Sequence, residues 1–388
     1  MRKGGIALAC AFVALLVGIW LGGHPGDLPD PIRNALVDDD PALRAELIDT
    51  IEDNFYKPID EGRFDDASLK AIVQSLNDPF SHYLTPKEAS QFEESVSGEF
   101  EGVGMNVEED RRGLQVLRVF DDSPARKAGI RKGDLILAVD GRSLAGVGSE
   151  VATGRIKGPS GTHVKLEVYT PGAERTRTVR LERERIEVPV ATGRIVERHG
   201  RKLGVVELMS FSSGAHGLLR REVDKLMNDG AEGIVLDLRG NGGGLLSEAV
   251  LVSSIFIADG KIVAVRGRHR PERTENAAGG AIDSGIPVVV LVDGGSASAS
   301  EIVTGALRDR GRATVVGTRT FGKGLVQEVE KLSNGGVLDL TVANYYLPSG
   351  KTIHRNGLKP QVRAEDDPDT KRDEALPVAL DALLAERR

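Results

Sequence analysis

In the segment Asp293-Gly-Gly-Ser-Ala-Ser-Ala-Ser-Glu301, the apolar run Val288 to Val292 stops at two glycines and passes into small residues that open a helical stretch. A hydroxyl at such a strand-to-helix turn stands exposed. The first turn of a helix leaves backbone N–H groups unpaired and ends the helix dipole in partial positive charge, which suits an alkoxide or an oxyanion. Three serines compete for the position: Ser296, Ser298 and Ser300. The same cluster would also serve as a helix cap that permits close packing, so the serines alone decide nothing.

A serine nucleophile needs a base. The usual one is a histidine held by a carboxylate, but none of His24, His82, His163, His199, His216, His269 and His354 sits in such a context, and no G-x-S-x-G elbow occurs. Lysine can replace histidine where desolvation leaves a neutral amine. Lys323, in Gly317-Thr-Arg-Thr-Phe-Gly-Lys-Gly324, is the candidate; Gly322 and Gly324 allow close backbone packing, and Phe321 and Val326 are expected to supply apolar cover. Gln327, in the alternating run Leu325 to Val329, either orients the amine or faces solvent. The segment also fits a phosphate-loop pattern, yet Gly324 stands where Mg²⁺ binding wants Ser or Thr, and a strand follows instead of a helix. A third glycine-rich strand end, Leu236-Asp-Leu-Arg-Gly-Asn-Gly-Gly-Gly244, offers close backbone approach and N–H donors for the oxyanion.

The elements that must position these residues alternate. Apolar strands at 203–208, 233–238, 288–292 and 314–316 are interleaved with helical stretches near 216–227, 245–256 and 299–308, which reads as α/β layering on a largely parallel sheet. Before it, residues 98–186 carry short β-rich runs (114–120, 135–139, 164–169) separated by Gly, Pro and Asp, as in a compact barrel-like domain. Residues 41–56 and 67–76 show helical periodicity through Leu43, Leu47, Ile51 and Phe55. The expected organisation is an anchor at 1–22, a tether at 23–40, a helical module at 41–97, the β-rich domain at 98–186, the α/β core at 187–361 and a tail with one helix at 362–388.

The chain's net charge of −7, with acids and bases interspersed, argues against nucleic acid as a partner. Its single cysteine, Cys10, excludes an intramolecular disulfide. Arg2 and Lys3 precede the apolar run Ile6 to Leu21, the layout of an export signal. No small-x-small cleavage site follows, so an uncleaved membrane anchor and an extracytoplasmic body are expected; Ala7 to Cys10 is a poor lipoprotein box because most of the apolar run lies after it.

With these segments in order, the chain resembles the carboxy-terminal processing (tail-specific) protease family from about Pro41 to about Gln361, most specifically in Gly295-Ser-Ala-Ser-Ala-Ser-Glu301 and Thr320-Phe-Gly-Lys-Gly-Leu-Val-Gln327. The resemblance implies an α/β crotonase-like/ClpP-like core with an inserted or preceding PDZ domain and an N-terminal helical module. It implies Ser298 as nucleophile, Lys323 as base, Gln327 assisting the lysine, and an oxyanion hole from the N–H of Ala299 and a glycine of Gly242 or Gly243. Gly102-Val103-Gly104-Met105 matches the PDZ loop that holds a terminal carboxylate, and Ser123 to Asp134 has PDZ wording. Asp78 to Pro86 looks like a structural family signature. Lys157 stands where Arg is common, and Gln361 where an acid is usual.

The implied activity is endoproteolysis near the C-terminus of extracytoplasmic proteins without metal or organic cofactor. Implied partners are protein substrates held by their C-terminal tails, the membrane at the N-terminal segment, an adaptor protein and further copies of the chain. A PDZ fold that only gates the protease is the plainer alternative. Two rivals stand beside this reading: an inert PDZ-containing peptide-binding scaffold, and an acyl-CoA enzyme, which export would separate from its CoA.

Overall fold

The structure is a computed structural model that describes residues 62–173, 175–268, 271–367, 369–370 and 372–386. The expected anchor, the tether and the helical stretch 41–56 lie outside the described residues, as do Cys10, His24 and His269. Two compact units divide between Pro79 and Phe80. Among the described residues of the first lies the helix Gly62–Gln74, which gives way to a left-handed residue at Asn77 (φ 52°). The division falls inside the expected 41–97 module, not at its end.

In the second unit the central sheet runs in the order Ala191–Arg198, Arg201–Leu208, Ile234–Asp237, Val288–Val292, Thr314–Gly317 and Val362–Arg363. The first pair is antiparallel and the rest are parallel. Parallel neighbours require crossovers. Here those between the inner strands contain the helices Ala215–Asn228, Leu246–Ser254 and Ala299–Asp309. Val206, Leu236, Val290 and Val315 face these three helices in one apolar layer. Val205, Val235, Leu291 and Val316 face the opposite way onto the terminal helix Ala375–Ala385. A strand covered on both faces reads as a continuous apolar run, which is why all five residues of Val288–Val292 are buried.

A second sheet pairs Val337–Tyr346 with Leu325–Lys331 along one edge and with His82–Leu84 and Lys261–Gly267 along the other. His82–Leu84 precedes the β-rich domain in the chain yet joins residues that follow it. The β-rich domain is therefore an insertion. Its five-stranded path (Met105–Asp110, Gly113–Val119, Leu135–Val139, His163–Thr170, Arg175–Glu182) packs its own core with the helix Ser149–Ile156. The chain enters and leaves it through one antiparallel ribbon, Glu99–Gly102 against Glu184–Glu187.

The C-terminal helix is fastened by charge as well as apolar contact. Arg239, just beyond the strand Ile234–Asp237, donates to Asp237 (2.7 Å), Asp366 (2.8 Å) and Asp373 (3.0 Å). Burial pushes the Asp373 carboxyl up, but hydrogen bonds from Arg239 and the Leu376 N–H outweigh it and hold the group below the usual aspartate range. A lowered folded-state value adds stability above the unfolded value of about 3.9 that is lost as pH falls through the folded one. Urea unfolding midpoints should therefore drop with acid below about pH 4. Arg239→Ala leaves Asp237, only 6% exposed, without its cation. It should cost about 3–5 kcal/mol in urea titrations at neutral pH.

Candidate active site

The three chemistry-bearing segments follow the C-terminal ends of three adjacent parallel strands, Ile234–Asp237, Val288–Val292 and Thr314–Gly317. Ligands of parallel α/β sheets gather beyond these strand ends. A cavity of about 340 Å³ opens there, lined by Gly242, Gly243, Ser298, Ala299, Lys323 and Gln327, with Phe92, Phe211, Leu246 and Ile302 as apolar wall.

Hydrogen bonding separates the three serines. Ser296 Oγ donates to the Leu238 carbonyl (2.8 Å) and Ser300 Oγ to the Asn241 carbonyl (2.8 Å), and both are fully buried. They pin the glycine loop to the helix start. Ser298 is the one that lines the cleft. Its backbone lies at φ 53° and ψ −111°, a region that costs a non-glycine residue about 1–3 kcal/mol and persists only when its surroundings hold it.

Ala299, the first residue of the helix, lines the same cleft. A Cβ on Gly243 (φ 105°) would lie 2.9 Å from Ser298 Cβ and 3.0 Å from Ala299 N, so only glycine fits. The Gly243 N–H is engaged by Asn241 Oδ1 (2.9 Å), while Asn241 Nδ2 donates to the Leu208 carbonyl (2.7 Å). Of the two glycines considered as oxyanion donors, Gly243 thus has its N–H already engaged within the loop.

Lys323 Nζ donates to Gln327 Oε1 (2.5 Å). The amide of Gln327 is oriented by its Nε2, which donates to the Phe80 carbonyl and to Asp339 Oδ2 (3.2 Å). The Phe80 ring centroid lies 5.0 Å from Nζ. The expected cover is thus corrected in part: Phe321 is 59% exposed, and Phe80 stands over the amine in its place. Val326 does line the cleft.

Two residues that sequence reasoning did not single out tie the serine and lysine segments together. Glu301, with no exposed surface, accepts the Ser298 N–H (3.0 Å) and the Lys323 N–H (2.9 Å) on one oxygen. Its other oxygen takes the Gly322 N–H (2.9 Å) and the Thr320 hydroxyl (2.5 Å). Burial raises its carboxyl above the ordinary glutamate range against the pull of these donors. Its spacing, Ser-x-x-Glu ahead of an apolar run, is a capping signal that was open to detection. Tyr345 donates its hydroxyl to the carbonyls of both Ser298 (3.1 Å) and Lys323.

In the β-rich domain, Gly102, Val103, Gly104 and Met105 form the turn into the edge strand Met105–Asp110. Gly104 takes φ 80°, and its carbonyl accepts the Phe120 N–H (3.0 Å). Phe100, Met105, Val107, Phe120, Thr153 and Lys157 line a groove of about 380 Å³. Lys157 pairs with Glu94 on the helix Pro86–Ser97, whose Phe92 and Val96 line the cleft that holds Ser298 and Lys323. Gln361, in place of an acid, exchanges hydrogen bonds with the Val315 backbone. Among the described residues no group of three or more His, Cys, Asp or Glu side chains is arranged to hold a metal.

The profile of peptidase family S41 matches residues 202–364, and that of the PDZ domain matches residues 90–169. The carboxy-terminal processing protease CtpA of Bacillus subtilis is 37% identical over 316 residues, covering 81% of this chain and 67% of its own length. The chain belongs to the carboxy-terminal processing proteases of peptidase family S41. The carboxy-terminal-processing protease of Bartonella bacilliformis is 34% identical over 325 residues, 82% of this chain and 74% of that one. Among solved structures, the photosystem II D1 C-terminal processing protease shares 32% identity with a TM-score of 0.50, covering 86% of this chain and 89% of its own. The β-rich insertion of this S41 protease is its PDZ domain.

Gly243→Ala should reduce peptide cleavage at least tenfold, because its methyl group would press on Ser298 and the Ala299 N–H. Steady-state rates on a fluorogenic peptide check this, with Gly279→Ala, a surface turn glycine with open space around it, as the control for a strained backbone alone.

Proposed function

We propose that this S41 protease is a serine endopeptidase that cleaves near the C-termini of extracytoplasmic proteins through Ser298 and Lys323. The observation that supports it most is the convergence of Ser298, Lys323, the Ala299 N–H and the glycine loop on one cleft beyond three parallel strand ends. In this reading Lys323 takes the Ser298 proton as Oγ attacks the scissile carbonyl, and the oxyanion meets the N–H groups of Ala299 and Gly242. The lysine then protonates the leaving amine. A water deprotonated by the same lysine attacks the ester, Ser298 regains its proton and the shortened chain leaves. Gln327 keeps the amine aimed through its own fixed amide.

The PDZ groove would take a substrate tail by adding a strand to the free edge of Met105–Asp110. The Lys157–Glu94 pair links that groove to the helix walling the cleft, which favours capture and gating by one domain. In this reading the core has the crotonase-like/ClpP-like arrangement, which its parallel inner strands and crossover helices support. Export and anchoring rest on Arg2, Lys3 and the run Ile6 to Leu21.

Ser298→Ala and Lys323→Ala should each lower casein cleavage to below about one-thousandth of the parent rate, with unchanged circular dichroism. Parent-like cleavage by either purified variant removes the dyad. Because a base works only when unprotonated, kcat should climb as pH is raised through the titration of the lysine; a flat profile across that range excludes Lys323 as base.

A further inference from the structure

Tyr345 is among the largest wholly buried side chains of the chain, and its hydroxyl approaches two carbonyl oxygens that belong to the nucleophile and to the base. A buried phenol needs some acceptor, and a purely structural tyrosine would be satisfied by any one. This hydroxyl has a single proton. Sharing it between Ser298 O and Lys323 O holds only while those two carbonyls stay side by side. The main chain is held by the Tyr345 N–H, which donates to the Gly324 carbonyl (3.1 Å), and by strand pairing with Leu325–Lys331, while the ring, only 1% exposed and packed in the core, has little room to swing toward one of them.

We propose that Tyr345 is a positioning residue for the Ser298/Lys323 reaction, fixing the separation of the two reacting segments through their main-chain carbonyls. This rests on the assignment of those two residues as the reacting pair. The two segments have no covalent reason to keep their distance: Ser298 starts a helix in a sparsely populated backbone region, and Lys323 lies in an irregular stretch before Leu325–Lys331. Glu301 gathers their N–H groups, and Tyr345 gathers their carbonyls. The Phe321 N–H also donates to the Ser296 carbonyl (3.0 Å), two positions ahead of each reacting residue, so the tyrosine's part is the narrower one of tying the carbonyls of Ser298 and Lys323 themselves. Displacement of about 1 Å between reacting groups costs about a hundredfold in rate. Burial, with the Glu301 charge adding to it, keeps the phenol protonated well above its ordinary range, so the donor persists across the working pH.

The test compares the full chain with Tyr345→Phe and with 4-aminophenylalanine placed at 345, which restores an N–H donor at the hydroxyl position. Fluorescein-labelled casein gives kcat and KM, and the rate of Ser298 labelling by a fluorophosphonate reports nucleophilicity without a substrate. For Tyr345→Phe, kcat and the labelling rate should both fall ten- to a hundredfold with KM within threefold of the parent. The 4-aminophenylalanine protein should recover at least a third of the parent kcat. Parent-like kcat and labelling in a folded Tyr345→Phe overturn the proposal, as does a 4-aminophenylalanine protein no faster than Phe, a reading that stands even if the Phe variant folds poorly. Ser298→Ala, run alongside, separates the two levels: cleavage by it sinks the site assignment and the positioning role together, whereas an inactive Ser298→Ala beside a fully active Tyr345→Phe sinks only the role of the tyrosine.

Discussion

A carboxylate with no access to water has to be surrounded by donors, and Glu301 draws its four from the parts that matter most. Two are the N–H groups of Ser298 and Lys323, and two come from Gly322 and Thr320 in the lysine segment. The cost of burying the charge is thereby turned into geometry. No arrangement that separates the helix start from the lysine segment leaves the carboxylate satisfied, so the two approach each other whenever the core is packed. The glycine at 322, with φ 97°, turns two successive N–H groups toward the same anion.

The rest of the core makes that contact possible. Strands buried on both faces stack the three loop-bearing ends side by side, and Ser296, Ser300 and Asn241 sew the glycine loop to the start of the helix Ala299–Asp309 from beneath. Arg239 carries the fastening further, from the strand that feeds the glycine loop to the terminal helix on the far face. Rigid scaffolding on one side contrasts with the helix Pro86–Ser97 on the other, which walls the cleft and leads straight into the ribbon of the PDZ domain.

Much of this was legible in the residues because local patterns decide it. Val288–Val292 has no polar residue to place at a surface, so its status as an inner strand follows, and the glycines after it mark the turn on which Ser298 sits. The PDZ domain announces itself through Gly102 to Met105 and Ser123 to Asp134. What stayed hidden depends on distant pairing. Nothing near Tyr345 shows that its hydroxyl will meet residues 22 and 47 positions away. Phe321 and Phe80 differ little as neighbours of glycine or proline, and only the fold decides that the nearer one points to solvent while the distant one covers the amine. The insertion of the PDZ domain was undecidable for the same reason, since it is defined by His82–Leu84 pairing across the whole domain.

That pairing also sets an order of assembly. A chain emerging from the ribosome makes Phe80 and His82–Leu84 first, completes a PDZ domain with its own core next, and reaches Gln327, 247 positions after Phe80, and Val337–Asp339 only afterwards. The seat of the lysine therefore cannot close until the PDZ domain has been made, and a chain still lacking Gln327 or Val337–Asp339 holds Phe80 and His82–Leu84 without the partners they pack against.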